Sequence, residues 1–295
     1  MSSSETRDNM TVLAGGTDSS AVPRPKHPIE LVAGKLYLLG ESVPLDGRIS
    51  WAPPEARGWQ PLNTYVLVEG ASVLVVDPGV YAHRTTIREQ LALLVEPGRK
   101  LSIFLTRPEP DVTGNIGEIA SCYPVERLYA GGGPNPFDAF ESANLMDPAS
   151  RGNRIQMERM LPGFQMPLGD ARGVEMLRPT IRLLSTFWGY DAATRTLFTS
   201  DSFGHTVQAS RDDEPILRSG APSQSDTASV KAHLLAKFGW LAHAKTRSIV
   251  NNLDDMRGSR VIERIAPSHG LVIEGPEMVK RHLDAVRAVL EELAS

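Results

Sequence analysis

Arg107, Glu109 and Asp111, alternating with prolines in the stretch LTRPEPDVTGN (105–115), are the residues whose types and spacing most suggest chemistry. An apolar strand pattern, Leu101 to Leu105, precedes them and a helical pattern follows. They therefore fall in a strand-to-helix loop, where α/β proteins place reactive groups. Pro108 and Pro110 fix their own φ and push the residue before each toward extended backbone, so 107, 109 and 111 are expected to project to one side. A row of plus, minus, minus can be a metal site, a carboxylate pair with an attendant guanidinium, or a salt bridge that pins a loop. Taken alone, a charged Pro-rich turn is the last of these, worth about 0–1 kcal/mol when exposed.

The elements that must hold this loop can be read from periodicity. Short strands open the chain from Ile29, and NTYVLVEG (63–70) and SVLVVDPG (72–79) make a hairpin about Gly70 and Ala71. RTTIREQLALLV (84–95) has helical period, RLYA (127–130) is a strand, and Asn115 with Glu118 predicts a capping box at the start of a helix. TIRLLSTFWGYD (180–191) and TRTLFTSD (194–201) predict two strands. A long helical run, ASVKAHLLAKFGWLAHAKTRSIVNNL, then leads to RVIERIAPSHG and a last helix. Residues 1–28 are expected to be a disordered tail, and 29–295 a single domain.

Composition narrows the partners. With 41% hydrophobic and 22% charged residues, a net charge of −4 and no basic run, the chain is not built for nucleic acid, and no apolar stretch is long enough to cross a membrane. A single cysteine, Cys122, excludes an intramolecular disulfide and fits a reducing cytoplasm; its place in the helical pattern predicts a buried small apolar side chain. The expected partner is a small-molecule ligand or another protein, a second copy of this chain included.

Taken together, NTYVLVEGASVLVVDPG, LTRPEPDVTG, FWGYDAATRTLFTSDSFG and IAPSHG resemble the metallo-β-lactamase superfamily, and within it the flavodiiron and oxygen-binding diiron branch, whose loop reads H-x-E-x-D-H. The resemblance spans roughly residues 29 to 275. It implies an α/β fold, an αββα sandwich of two mixed β-sheets flanked by helices. It also places Glu109, Asp111, Asp201 and His269 at family metal-ligand positions. Three positions depart: Arg107 and Val112 stand for the two loop histidines, and Arg182 for the strand histidine.

A guanidinium has no lone pair to give a metal and brings its own positive charge. Arg107 and Arg182 are thus expected to replace the cation of the first site, with Glu109 and Asp201 as their partners. Asp111, Asp201 and His269 would remain as a two-carboxylate, one-imidazole set for at most one divalent ion, iron, manganese or zinc, or for none. The expected function is a metal-free or single-metal cleft with hydrolase-type activity on a small anionic substrate. In that mechanism Asp111 or His269 accepts the proton and Arg107 or Arg182 clamps the oxyanion. The alternatives are a non-catalytic ligand- or partner-binding protein and, behind it, an oxidoreductase of oxygen or nitric oxide on residual iron; that chemistry needs an electron donor, and no room for a flavodoxin domain is expected after His269. Asp77, Asn63 and Thr64 are expected to be structural. His233 and His243 are expected to be surface or packing residues, His205 either to face the cleft or to lie on its rim, and His27, His83 and His282 carry no signal.

Overall fold

Central strands buried on both faces build two sheets with a shared interior. The computed structural model describes residues 27–132, 155–183 and 185–294. The first 26 residues of the expected tail lie outside that range.

The first sheet runs in the order β1 (Ile29–Val32), β2 (Leu36–Pro44), β3 (Trp59–Glu69), β4 (Ser72–Val76), β5 (Leu101–Phe104), β6 (Val125–Ala130), β7 (Gln156–Arg159). β1 to β4 form an antiparallel meander and β4 to β7 are parallel. The second sheet runs β12 (Ile216–Leu217), β14 (Val272–Glu274), β13 (Arg264–Pro267), β11 (Thr196–Ser200), β10 (Trp188–Asp191), β9 (Arg172–Leu177), β8 (Gln165–Leu168). It too is mixed, with β11 parallel to β13 and β10 antiparallel to β11.

Three apolar clusters define the layers. Tyr65, Leu67, Phe104, Val174, Phe198 and Val272 meet between the sheets. Val66, Val75 and Ile103 face the other way, onto Leu91 of α1 (Arg84–Ala92) and Ile119 of α3 (Ile116–Cys122). On the far side, Trp188, Leu197 and Ile265 pack against α4 (Thr227–Lys237), α5 (Arg247–Gly258) and α6 (Pro276–Glu292). Each fully buried aliphatic or aromatic side chain contributes about 1.5–3 kcal/mol, and the period-2 alternation divides them between the two faces of each sheet. The result is the αββα sandwich that the sequence resemblance implied.

Several local expectations are corrected. The predicted long helix is broken at Phe238, which leaves helical backbone (φ −119°, ψ 54°) just before Gly239, so α4 and α5 are separate. None of the described residues between 180 and 187 is in a strand; β10 begins only at Trp188. Asn115 does not cap α3 with its side chain, because its amide donates to the carbonyls of Pro78 (3.0 Å) and Val80 (2.8 Å) and so ties two loops together. Cys122, at the helix end, is exposed rather than buried. No helix among the described residues is long and apolar enough to cross a membrane.

Candidate functional site

Four elements converge at one edge of the sandwich. The carboxyl ends of β5, β11 and β13 deliver Arg107, Asp201 and His269, while the end of α4 delivers Lys237. The loop after β5 turns straight into a short helix, α2 (Pro110–Thr113), whose first turn carries Asp111. Glu109 precedes it in extended backbone (φ −102°, ψ 148°), as the two prolines required.

Backbone and polar side chains fix these loops before any charge is counted. Asp77, buried and in left-handed backbone (φ 52°), accepts from the Thr106 amide (2.8 Å), the Thr106 hydroxyl (2.7 Å) and the Ser268 hydroxyl (2.6 Å). It is thus a brace between the loops after β5 and β13. Burial raises its pKa, and Arg107 and these donors oppose the rise. The Asn63 amide donates to the carbonyls of Pro267 (2.9 Å) and Gly270 (2.8 Å), holding the loop of His269 against β3. Gly204 and Gly270 meet back to back: a Cβ on Gly270, whose φ is +99°, would stand 2.9 Å from the Gly204 Cα. Only glycine permits that approach.

Arg107 is fully buried at the centre. Its Nη1 donates to the hydroxyls of Ser200 (2.9 Å) and Ser268 (3.2 Å). Its Nη2 bonds Asp111 and lies 2.9 Å from Asp201 Oδ1 and 3.0 Å from His269 Nε2. The same imidazole nitrogen lies 3.0 Å from Asp201 Oδ1 and 3.3 Å from Asp111 Oδ2, so His269 Nε2 is shared between the guanidinium and two carboxylates. Nε of Arg107 is 3.6 Å from Glu109. Lys237 supplies the second cation, with Nζ 3.0 Å from Glu109 Oε2 and 3.3 Å from Asp201 Oδ2. Two cations therefore face three carboxylates, and Asp201 bridges them.

Asp111, Asp201 and His269 bring one ligand atom each within 4.8 Å of one another, the only such set of three among the described residues. Arg107 Nη2 contacts all three groups. Lys237 lies between the remaining pair, Glu109 and Asp201. Arg107 meets both expected partners, Glu109 and Asp201, and reaches Asp111 and His269 as well; the correction is that the second cation is Lys237 and not Arg182. Arg182 takes part in none of these contacts. It lies half-buried in the loop before β10, where burial and the neighbouring charge of Arg178 lower its pKa. Val112, in place of the second loop histidine, is buried.

Burial pulls the carboxylates toward neutrality, but the field of Arg107 overrides it, with His269 and Lys237 adding to the effect. The Asp201 pKa falls to about 2 and that of Asp111 lies below the ordinary carboxylate range. Trp51, which the sequence reading missed, stacks on His269 with ring centroids 4.7 Å apart and planes 12° from parallel. Its indole N–H donates to Gln60 (2.7 Å), which donates in turn to the Gly204 carbonyl (2.8 Å).

Behind this cluster lies a second, apolar-walled one of imidazoles. His205 Nε2 is 2.8 Å from His282 Nδ1, and the His205 and His233 rings stand edge to face at 6.1 Å. All three are buried: His205 faces the cleft, His233 is a packing rather than a surface residue, and His282, which carries no sequence signal, is enclosed with them. Desolvation pushes the pKa of His233 down to about 3, that of His282 to about 4, and that of His205 well below 6.5. Each group takes up its proton in the unfolded chain before the folded one, so its contribution to stability is complete above pH 6.5 and is lost as pH falls. The unfolding free energy is expected to drop by about 1.4 kcal/mol per pH unit for each imidazole between roughly pH 6 and 4. Asp111 and Asp201 add their own loss only below about pH 4. Urea denaturation at stepped pH measures both windows; a stability independent of pH from 7 to 4.5 would contradict neutral, buried histidines.

Lys237 and His233 had one overlooked signal. Val230, His233, Leu234 and Lys237 fall at i, i+3, i+4 and i+7, the apolar stripe of α4, and a lysine on such a stripe needs a buried counter-charge.

Comparison with known proteins gives consistent relatives. A family model described as ODP family beta lactamase matches residues 61–270. A diflavin flavoprotein A 2 of Nostoc sp. is 24% identical over 226 residues, covering 76% of this chain but 34% of the relative. Among solved structures, rubredoxin oxygen:oxidoreductase from Desulfovibrio gigas superposes with a TM-score of 0.68 at 14% identity, covering 90% of this chain and 62% of the other. The chemotaxis sensor ODP, in a peroxy diiron form, superposes with a TM-score of 0.57 at 15% identity, covering 88% and 94%. The chain thus spans about a third of the curated relative and less than two thirds of the first structure.

Proposed function

We propose that this chain, which belongs to the ODP beta-lactamase family, acts by binding rather than by metal-dependent turnover, and that Arg107 and Lys237 stand in for the family's two metal ions. The observation that carries the reading is the position of Arg107 Nη2, within reach of Asp111, Asp201 and His269 at once. A divalent ion on those three atoms would put a second positive centre on top of a guanidinium, at a Coulombic cost that no ligand here offsets. The donor set does not fit a diiron pair either. The two loop positions where the family's H-x-E-x-D-H motif has histidine hold Arg107 and Val112, and Glu109 and Asp201 are already engaged by Lys237.

The same packing disfavours the hydrolase reading. An oxyanion clamp must present donors to a substrate, whereas both terminal nitrogens of Arg107 are engaged by protein groups and its side chain is wholly enclosed. A sensor or binding role is supported by the solved relative of similar length that is described as a chemotaxis sensor. The partner in that reading is a small molecule taken up beside the cluster. Its test is the metal content of protein purified without chelators from cells supplied with iron, manganese and zinc, which is expected to be below about a tenth of an equivalent of each.

A further inference from the structure

Trp51 reaches the charge cluster from a loop that is otherwise closed on itself. Residues 46–57 join β2 to β3, and at their base the Leu45 amide donates to the Gly58 carbonyl (2.9 Å). Just below, Trp59 and Gln208 exchange backbone hydrogen bonds of 2.8 Å in both directions. Inside the loop Arg48 pairs with Asp46, and Nη1 of Arg57 donates to the carbonyls of Pro54 (2.7 Å) and Ala56 (2.8 Å). The Ala56 amide donates to the Pro53 carbonyl (2.9 Å). Compact surface loops with joined ends are frequently functional, and one that satisfies its own polar groups moves without stranding them.

Among the described residues, this loop makes one hydrogen bond to the rest of the chain, from the indole N–H of Trp51 to Gln60 Oε1 (2.7 Å). Trp51 itself is only partly buried, and the one fully buried residue of the loop is the small Ala52. The tie between loop and body is therefore the Trp51 ring.

The body forms the slot that receives this ring. His269 is held at Nε2 by Arg107, Asp111 and Asp201, and its flat face is stacked by Trp51 with ring centroids 4.7 Å apart and planes 12° from parallel. Gln60 is buried, and its Nε2 is committed to the Gly204 carbonyl (2.8 Å). A carbonyl accepts only, so the Gln60 amide is fixed with its oxygen toward the indole. A stacking face and one acceptor in its plane select a flat ring that carries an N–H. Neither contact requires that the ring belong to this chain. Beside the slot a cavity of 370 Å3 separates Ala52, Pro53 and Ala56 of the loop from Gln60, Ala232 and His233 of the body, which leaves space for a ligand larger than indole.

We propose that Trp51 is a displaceable plug: the slot between His269 and Gln60 binds a planar aromatic molecule with a ring N–H, and the 46–57 loop lifts away with Trp51 when that molecule enters. This rests on the reading of the protein as one that acts by binding, and names the class of ligand and the device that admits it.

Fluorine NMR of the full chain carrying 5-fluorotryptophan tests it, with the Trp51 signal assigned by its loss in Trp51→Phe. The probes are indole, 1-methylindole, which keeps the ring but has no N–H, and cyclohexanol, which is not flat. Indole is expected to move the Trp51 signal saturably while that of the enclosed Trp188 stays in place, and to bind at least about tenfold more tightly than either control. Trp51→Ala is expected to bind indole at least about tenfold more tightly than wild type, because no plug has to be displaced. A Trp51 signal unmoved by indole up to its solubility limit, equal affinity for 1-methylindole, or no gain in Trp51→Ala would each overturn the proposal. Indole binding by Trp51→Ala alone would mark an ordinary packing residue and overturn it too; should that variant not fold, the wild-type signal decides. A protein that contains metal yet releases Trp51 to indole overturns only the earlier reading. One that is metal-free and keeps Trp51 in place overturns only this one.

Discussion

Arg107→Met is expected to cost about 3–5 kcal/mol of folding stability, the largest effect of any single substitution near the cluster. The guanidinium is enclosed, and its removal leaves Asp111 and Asp201 buried beside Glu109 with Lys237 alone to neutralise three carboxylates. The methionine replaces the volume but not the charge, and the hydroxyls of Ser200 and Ser268 lose a shared donor. Chemical denaturation should show a lower midpoint with an unchanged slope. Adding Asp201→Asn to Arg107→Met should recover part of the loss, because the bridging charge is then gone. Equal stability of wild type and Arg107→Met would mean that the guanidinium is not the counter-ion of this site.

The triple variant Arg107→His, Val112→His, Lys237→Ala is expected to bind metal ions. It removes both cations and restores two imidazoles to the loop that holds Glu109 and Asp111. Without metal it should be among the least stable forms. With zinc or iron(II) at 100 times the dissociation constant it should recover about 2.7 kcal/mol per bound ion. Thermal unfolding across a metal series reads this directly. The control Arg182→His, made on the native background, should bind no metal, since Arg182 lies in a loop apart from the carboxylates. Metal binding by the control and not by the triple variant would restore the original assignment of Arg182.

The fold and the centre of the site were legible for different reasons. The apolar runs in 63–70 and 72–79, and the hairpin at Gly70, where φ is +54°, are local properties; β3 and β4 form on them, although β3 begins earlier, at Trp59, and β4 ends at Val76. Arg107, Glu109 and Asp111 were legible because two prolines fix the backbone that presents them. Lys237 was not, because its partners come from 128 residues away in the chain in one case and from another sheet in the other. Nor were Trp51 and the three buried histidines, whose roles depend on which loops touch. Arg182 failed because the sequence around it has a strand-like composition, yet Arg182 itself sits outside the ladder that starts at Trp188. Periodicity identifies elements, and only tertiary packing decides which charge meets which.

That Arg107 and Lys237 occupy the positions of two metal ions is tested most directly by elemental analysis of the native protein, purified without chelators after growth with added iron, manganese and zinc. Less than about a tenth of an equivalent of each metal is expected, with no change in unfolding temperature on adding any of them or a chelator. One or more equivalents of a metal, retained through purification and lost in Asp201→Asn, would contradict the exchange of metals for side-chain cations.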